Sequence, residues 1–202
     1  FGGFYDWAAI DTEGAIIYIP QSTRKKPKKL IKQRFLPDGE KAVSVACGEE
    51  SLYVLGHNGK IFISNGSKGR KHKFIKVVEM SKINIIEISG VSNHFLALSN
   101  EGRIFGVGSN IDHKLGLGYD IGYIEIFTEN TTKYKMNHVY AGWNHTLFQT
   151  EEGKVFACGD HNHIEKIIDK DAKSMIYGPS ETIIKSGACF CIADFHETVI
   201  FI

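Results

Sequence analysis

The chain has 202 residues, 43% of them hydrophobic and 23% charged, and its 24 Lys+Arg against 23 Asp+Glu leave a net charge of +1. That composition excludes a disordered polar chain and argues against a protein that wraps nucleic acid over its whole surface. The longest apolar run, Ala188–Ala193, falls far short of the about 20 residues of a membrane helix, so no membrane association is expected.

Four cysteines are too few for a disulfide scaffold and read as reduced thiols of an intracellular protein, cytoplasmic or nuclear. No basic start precedes an apolar stretch, so no secretion signal is read. The chain opens on Phe1 rather than Met, and the expectation is a piece of a longer protein. Ile occurs 26 times against 9 Leu, with 10 Val, 13 Phe and 8 Tyr. β-Branched and aromatic residues suit a pleated, half-buried surface better than a helix, so the composition leans toward an all-β fold.

In chain order, a first unit (3–47) opens at Gly3. It sets Trp7-Ala-Ala-Ile10 and Ala15-Ile-Ile-Tyr-Ile19 on either side of Asp11-Thr-Glu-Gly14. A basic run, Arg24-Lys-Lys-Pro-Lys-Lys29, continues to Lys32 and Arg34. A second unit (48–89) opens at Gly48 and sets Leu52-Tyr-Val-Leu55 and Lys60-Ile-Phe-Ile63 around Gly56-His-Asn-Gly59. A second basic group, Lys68–Lys73, follows, and then strand candidates Phe74–Val78 and Ile83–Ile88. A third unit (90–141) sets Phe95-Leu-Ala-Leu98 and Arg103-Ile-Phe-Gly-Val107 around Ser99-Asn-Glu-Gly102, with further strands at Tyr123–Phe127 and His138–Ala141. A fourth (142–186) sets Thr146-Leu-Phe148 and Lys154-Val-Phe-Ala157 around Thr150-Glu-Glu-Gly153 and contains Ile164–Ala172, read as a loop. An incomplete fifth (187–202) carries Asp194-Phe-His-Glu197 without the glycine.

The four phrase-ending glycines, Gly14, Gly59, Gly102 and Gly153, lie 45, 43 and 51 residues apart. A glycine between two short apolar runs is a hairpin signal, because it accepts the positive φ that tight hairpin turns need. The flanking runs are continuously apolar, as expected of strands covered on both faces. About 44 residues hold four such strands and their turns. A four-stranded antiparallel sheet repeated at this period predicts a β-propeller, a partial or short ring of about four to five blades.

The third unit carries a family likeness. Ile88-Ser-Gly-Val-Ser-Asn-His-Phe-Leu-Ala-Leu-Ser-Asn-Glu-Gly-Arg-Ile-Phe-Gly-Val-Gly-Ser-Asn110, followed by His113-Lys-Leu-Gly-Leu-Gly118, resembles the regulator of chromosome condensation repeat. That pattern runs glycine, His-Thr, Ala-Leu, a glycine hairpin, an aromatic strand, Gly-x-Asn and a Gln-Leu-Gly-x-Gly turn. The fourth unit matches its first half in Ala141-Gly-Trp-Asn-His-Thr-Leu147 and Val155-Phe-Ala-Cys-Gly159, and Val45-Ala-Cys-Gly48 opens the second unit in the same way. The resemblance implies a propeller. It also implies a non-catalytic interaction or regulatory scaffold. As an alternative it implies guanine-nucleotide exchange on a small GTPase, for which Gly118–Lys135, in the longest unit, is the only stretch with room for a projecting element.

Among candidate sites, Arg24, Lys25, Lys26, Lys28, Lys29 and Lys32 form the most distinctive charge feature. They read as a solvated loop or as a phosphate or nucleic-acid contact, giving chromatin or DNA binding as a further alternative. His94 and His145 share one repeat position and belong to blade architecture. His161 and His163 alternate as metal ligands on a strand would, but no third ligand has recognisable spacing. Cys47 and Cys158 fill a small apolar slot before a glycine, and Cys189 and Cys191 are read as core thiols. No nucleophile elbow, P-loop or His-Glu-x-x-His is present. The chain is therefore expected to be no enzyme, to hold no cofactor or metal, and to have a protein as its main partner.

Overall fold

The computed structural model describes residues 6–20, 31–33, 36–48, 51–64, 73–119, 121–130 and 132–160, together with strand residues 180–181, 190–193 and 198–201. The chain divides into two compact units, Phe1–Asn93 and His94–Ile202. Among the described residues every regular element is a strand except two 3-10 turns, at Pro37–Gly39 and Ile111–His113.

In the first unit, β1 (Asp6–Ile10), β2 (Ile16–Pro20) and β3 (Ile31–Gln33) form an antiparallel sheet. Next come β4 (Ala42–Gly48), β5 (Leu52–Gly56), β6 (Ile61–Ser64) and the two-residue β7 (Ile75–Lys76), a four-stranded antiparallel meander. The eighth strand, β8 (Ile85–Ser92), runs parallel to β4 through Cys47↔Val91 and Gly48↔Ser92. Parallel neighbours in an otherwise antiparallel meander are what the first strands of successive sheets become when each sheet returns the chain to the same starting point. The core between the sheets joins Ile16, Leu36, Val45, Leu52, Val54, Phe62 and Phe74.

The second unit holds β9 (His94–Ser99), β10 (Ile104–Ser109) and β11 (Tyr123–Glu129). A second four-stranded meander follows: β12 (Met136–Ala141), β13 (His145–Thr150), β14 (Val155–Gly159) and β15 (Ser180–Glu181). A last hairpin pairs β16 (Phe190–Ala193) with β17 (Thr198–Phe201). Every residue of β5, β9, β10 and β13 is buried. These are the runs whose lack of polar alternation marks strands covered on both faces. Each fully buried Val, Leu, Ile or Phe contributes about 1.5–3 kcal/mol from removal of apolar surface from water.

The predicted strands are present with shifted ends. The candidate at Phe74–Val78 shortens to β7, while those at Ile83–Ile88, Tyr123–Phe127 and His138–Ala141 become β8, β11 and β12. The sheets run one strand out of phase with the repeat phrase. The sheet containing the Gly59 turn begins at Ala42, and the one containing the Gly153 turn begins at Met136. The strand that ends on Gly48 pairs with the next strand, and so does the one that ends just before Gly142, so these sheets begin earlier than the spelling suggests. Ile164–Ala172 and the fifth phrase, Asp194–Glu197, lie outside the described residues.

Candidate interaction surfaces

The two ends of each sheet are built differently. At one end lie the hairpin turns of the repeat phrase. Gly14, Gly59, Gly102 and Gly153 all have positive φ, between 74° and 81°. In each turn the glycine N–H donates to the carbonyl three residues earlier, of Asp11, Gly56, Ser99 and Thr150, at 3.0 Å. The side chains of Asp11, Ser99 and Thr150 accept from the backbone N–H four residues on, at Ala15, Arg103 and Lys154. The polar letters of the phrase are therefore turn-closing acceptors.

The glycines also join successive sheets. The carbonyls of Gly14, Gly59 and Gly102 accept from the N–H of Ala42, Ile85 and Met136, at 3.0–3.1 Å. Each of these acceptor bonds ends on the first residue of β4, β8 or β12. A Cβ at Gly102 would stand 2.9 Å from Lys135 Cβ and 3.1 Å from Met136 O, and one at Gly14 would stand 2.8 Å from Lys41 Cβ. Glycine is required here both for its φ and for the close approach of the next strand.

Charge gathers at this end. Arg103 donates from Nε and Nη2 to the Glu129 carboxylate, at 2.9 Å each, and from Nη1 to Glu101 at 3.3 Å. The Glu129 bond holds the Arg103 guanidinium above its ordinary pKa. The pair is 40% and 44% exposed, which limits it to the small contribution of surface ion pairs. Beside it a half-open pocket of about 350 Å³ is lined by Arg103, Glu129, Lys133, Tyr134 and Lys135. Tyr134 stacks on Phe156 at 4.8 Å, and Lys133 lies over its ring at 5.2 Å.

Lys32, on β3, reaches the equivalent turn of the first unit. Its Nζ is 2.6 Å from Asp11 Oδ2 and 3.7 Å from Glu13 Oε2, and the Lys32 bond lowers the Asp11 pKa. Arg24, Lys25, Lys26, Lys28 and Lys29 lie outside the described residues, as do Lys68, Arg70 and Lys71 of the second basic group and His161, His163 and Cys189. Cys191 lies in β16.

The opposite end carries the repeat histidines and the connection between β10 and β11. His94 and His145 are both fully buried at the starts of β9 and β13. His94 Nε2 lies 3.2 Å from Thr146 Oγ1, so the His of one sheet meets the Thr of the next. Burial, and then the Lys114 charge, push the His94 pKa well below its ordinary 6.5. Lys114 stands where the family pattern has glutamine and is 2% exposed. Its carbonyl accepts from Cys158 Sγ at 3.2 Å, and burial pushes the Cys158 thiol up in pKa. These groups are packing and bonding elements of the unit. Among the described residues no three His, Cys, Asp or Glu converge as metal ligands would, and no helix is long and apolar enough to cross a membrane.

The loop between β10 and β11 is closed and pinned. Asn110 N–H donates to Gly122 O at 2.9 Å, and Asn110 Oδ1 accepts from Leu115 N at 3.1 Å. Buried Asn130 donates from Nδ2 to Gly116 O at 2.6 Å. Leu115 and Leu117 point inward, at 0% and 3% exposure, whereas Ile111, Tyr119, Ile121 and Tyr123 are 60%, 38%, 51% and 61% exposed. Sequence reasoning marked Gly118–Lys135 for its room and missed the apolar surface that begins at Ile111; four large apolar residues between 111 and 123 were the available signal.

Strands buried on both faces, glycine hairpins at Gly14, Gly59, Gly102 and Gly153, and the parallel pair β4 and β8 define a β-propeller-type repeat protein. Residues 137–163 match the family model of the regulator of chromosome condensation (RCC1) repeat. The chain is 26% identical over 132 residues to the X-linked retinitis pigmentosa GTPase regulator of Canis lupus familiaris, covering 63% of this chain and 13% of that one. It is 30% identical over 131 residues to the ultraviolet-B receptor of Arabidopsis thaliana, covering 60% and 30%. The crystal structure of Prp20p from Saccharomyces cerevisiae superposes with a TM-score of 0.79 at 18% identity, covering 98% of this chain and 53% of that one. That superposition establishes the fold, and the chain spans about half of the solved propeller and under a third of these two relatives.

Proposed function

We propose that this chain is a non-catalytic protein-interaction module with a regulatory role. The observation that carries the reading is the contrast inside the second unit. Strands and turns follow the repeat, while the Ile111–Tyr123 connection follows nothing in the other units and holds four apolar side chains in water on a hydrogen-bonded frame. Rigid scaffolds that present irregular loops are built for recognition. An intracellular setting accords with the family.

A second reading, guanine-nucleotide exchange, is favoured by the relatives. One is named a GTPase regulator, and the solved structure of Prp20p is described with its binding to Gsp1p and histones. The test uses the whole chain against a panel of small GTPases loaded with labelled nucleotide, alongside affinity capture with each captured protein re-tested in purified form. The expected result is a direct protein ligand and an unchanged rate of nucleotide release. An acceleration of about tenfold or more would replace the interaction reading with exchange.

A further inference from the structure

The surface at the Ile111–Tyr123 loop carries chemistry that narrows its partner. Four of its side chains are apolar and exposed. Between Ile104 and Thr132 the sequence has one Lys or Arg, Lys114, and that residue is buried. Among the described residues the exposed charges beside the apolar side chains are the carboxylates of Asp112 and Glu125. Glu125 lies two residues beyond Tyr123 on β11 with buried Ile124 between them, which places Tyr123 and Glu125 on one face of the strand.

The surface is also preset. Asp112 and His113 adopt φ of 59° and 56°, the only consecutive non-glycine residues in the left-handed region among the described residues. Such strain persists where surrounding bonds fix it and gathers at recognition sites; here the Asn110 and Asn130 bonds fix it. The outer edge of β11 does not invite an added strand. Its pairing with β10 is interrupted between Gly106 and Gly108, and a bulge and a charged edge residue are devices that block strand addition. Recognition at this place therefore runs through side chains.

We propose that Ile111, Tyr119, Ile121 and Tyr123 form a docking surface for a segment of a partner protein that sets apolar anchor residues between lysines or arginines, which meet Asp112 and Glu125. This rests on the interaction-module reading and names its partner's chemistry. Apolar anchors supply affinity at such a surface, and the carboxylates select sign and register.

The experiment pans random 16-residue peptides displayed on phage against the whole chain, then measures a selected peptide by fluorescence anisotropy. The expected peptides carry Leu, Ile, Phe or Trp flanked by Lys or Arg. The double variant Ile121→Ser/Tyr123→Ser, at exposed positions, should keep the far-ultraviolet spectrum and lose about tenfold or more in affinity. Asp112→Asn and Glu125→Gln should each lose about two- to fivefold and weaken the salt dependence. Acidic or uncharged consensus peptides, or no enrichment, overturn the proposal. So does a concentration-dependent dimer abolished by the double variant, which would make a second copy the occupant. Peptides that bind the double variant unchanged remove this surface and leave the interaction module standing. Accelerated nucleotide release with no peptide binding removes the module reading itself.

Discussion

The hairpin-turn end and the loop end of the second unit share the same strands and follow opposite rules. At the turn end Gly102 is fixed by its φ, by its bond within the turn and by the approach of Lys135 and Met136. Nothing there can change without disturbing the next sheet. At the loop end the frame is fixed by Asn110 and Asn130, but Ile111, Tyr119, Ile121 and Tyr123 face water. One end of the blade is constrained by architecture. The other is constrained only at its base, which leaves its tip open to selection for binding.

The strongest way to sharpen this contrast is a core truncation. Phe148→Ala, at 0% exposure in β13, should cost about 3–5 kcal/mol, read as a lowered midpoint in urea unfolding. A loss under about 1 kcal/mol would mean that β13 is not covered on both faces.

Glycine substitutions come next, because they separate conformation from docking. Gly102→Ala meets both a φ of +77° and atoms at 2.9 and 3.1 Å, whereas Gly39 has a φ of +73° and nothing within 4 Å of the added Cβ. Gly39→Ala should cost about 1–2 kcal/mol, and Gly102→Ala about 1–3 kcal/mol more through overpacking. Equal costs would show that the stitch between sheets contributes nothing.

The buried histidine adds a pH signature at the loop end. The folded pKa of His94 is depressed below 6.5, mainly by burial and then by the Lys114 charge. Below that value the unfolded state takes up a proton that the folded state refuses, so stability falls as pH drops, by up to about 1.4 kcal/mol per pH unit from this group. His94→Gln should flatten the slope of stability between about pH 6.5 and pH 5. Lys114→Gln should reduce it, because one cause of the depression is gone. An unaltered slope in both variants would exclude His94 as its source.

The smallest effect is expected at the loop tip. Ile121→Ser and Tyr123→Ser should change unfolding free energy by no more than about 0.5 kcal/mol, checked by the same urea titration. A larger loss would place these side chains in the core of the unit and weaken the division between its ends.

Much of this was legible in the spelling. The four glycine bends, the buried strands around them and the architectural role of His94 and His145 follow from local chemistry, since a hairpin turn and a doubly covered strand each leave a mark within a few residues. Other features left no local mark. Gly102 meets Lys135 and Met136 across more than thirty residues. Nothing local marks Lys114 as a buried cation or Asn130 as a side chain whose amide reaches Gly116. In the loop, Leu115 and Ile111 are equally apolar, and without a period no rule says which turns inward. Lys32 reads as one of a basic run and ends on Asp11.

By itself the sequence determined the repeat, the all-β character and the family resemblance, because turn glycines and two-faced strands are written in nearest-neighbour terms. Only the tertiary structure decided where the sheets begin, which cations are neutralised and which apolar side chains stay in water. Those outcomes depend on residues far apart in the chain competing for the same space and the same hydrogen bonds.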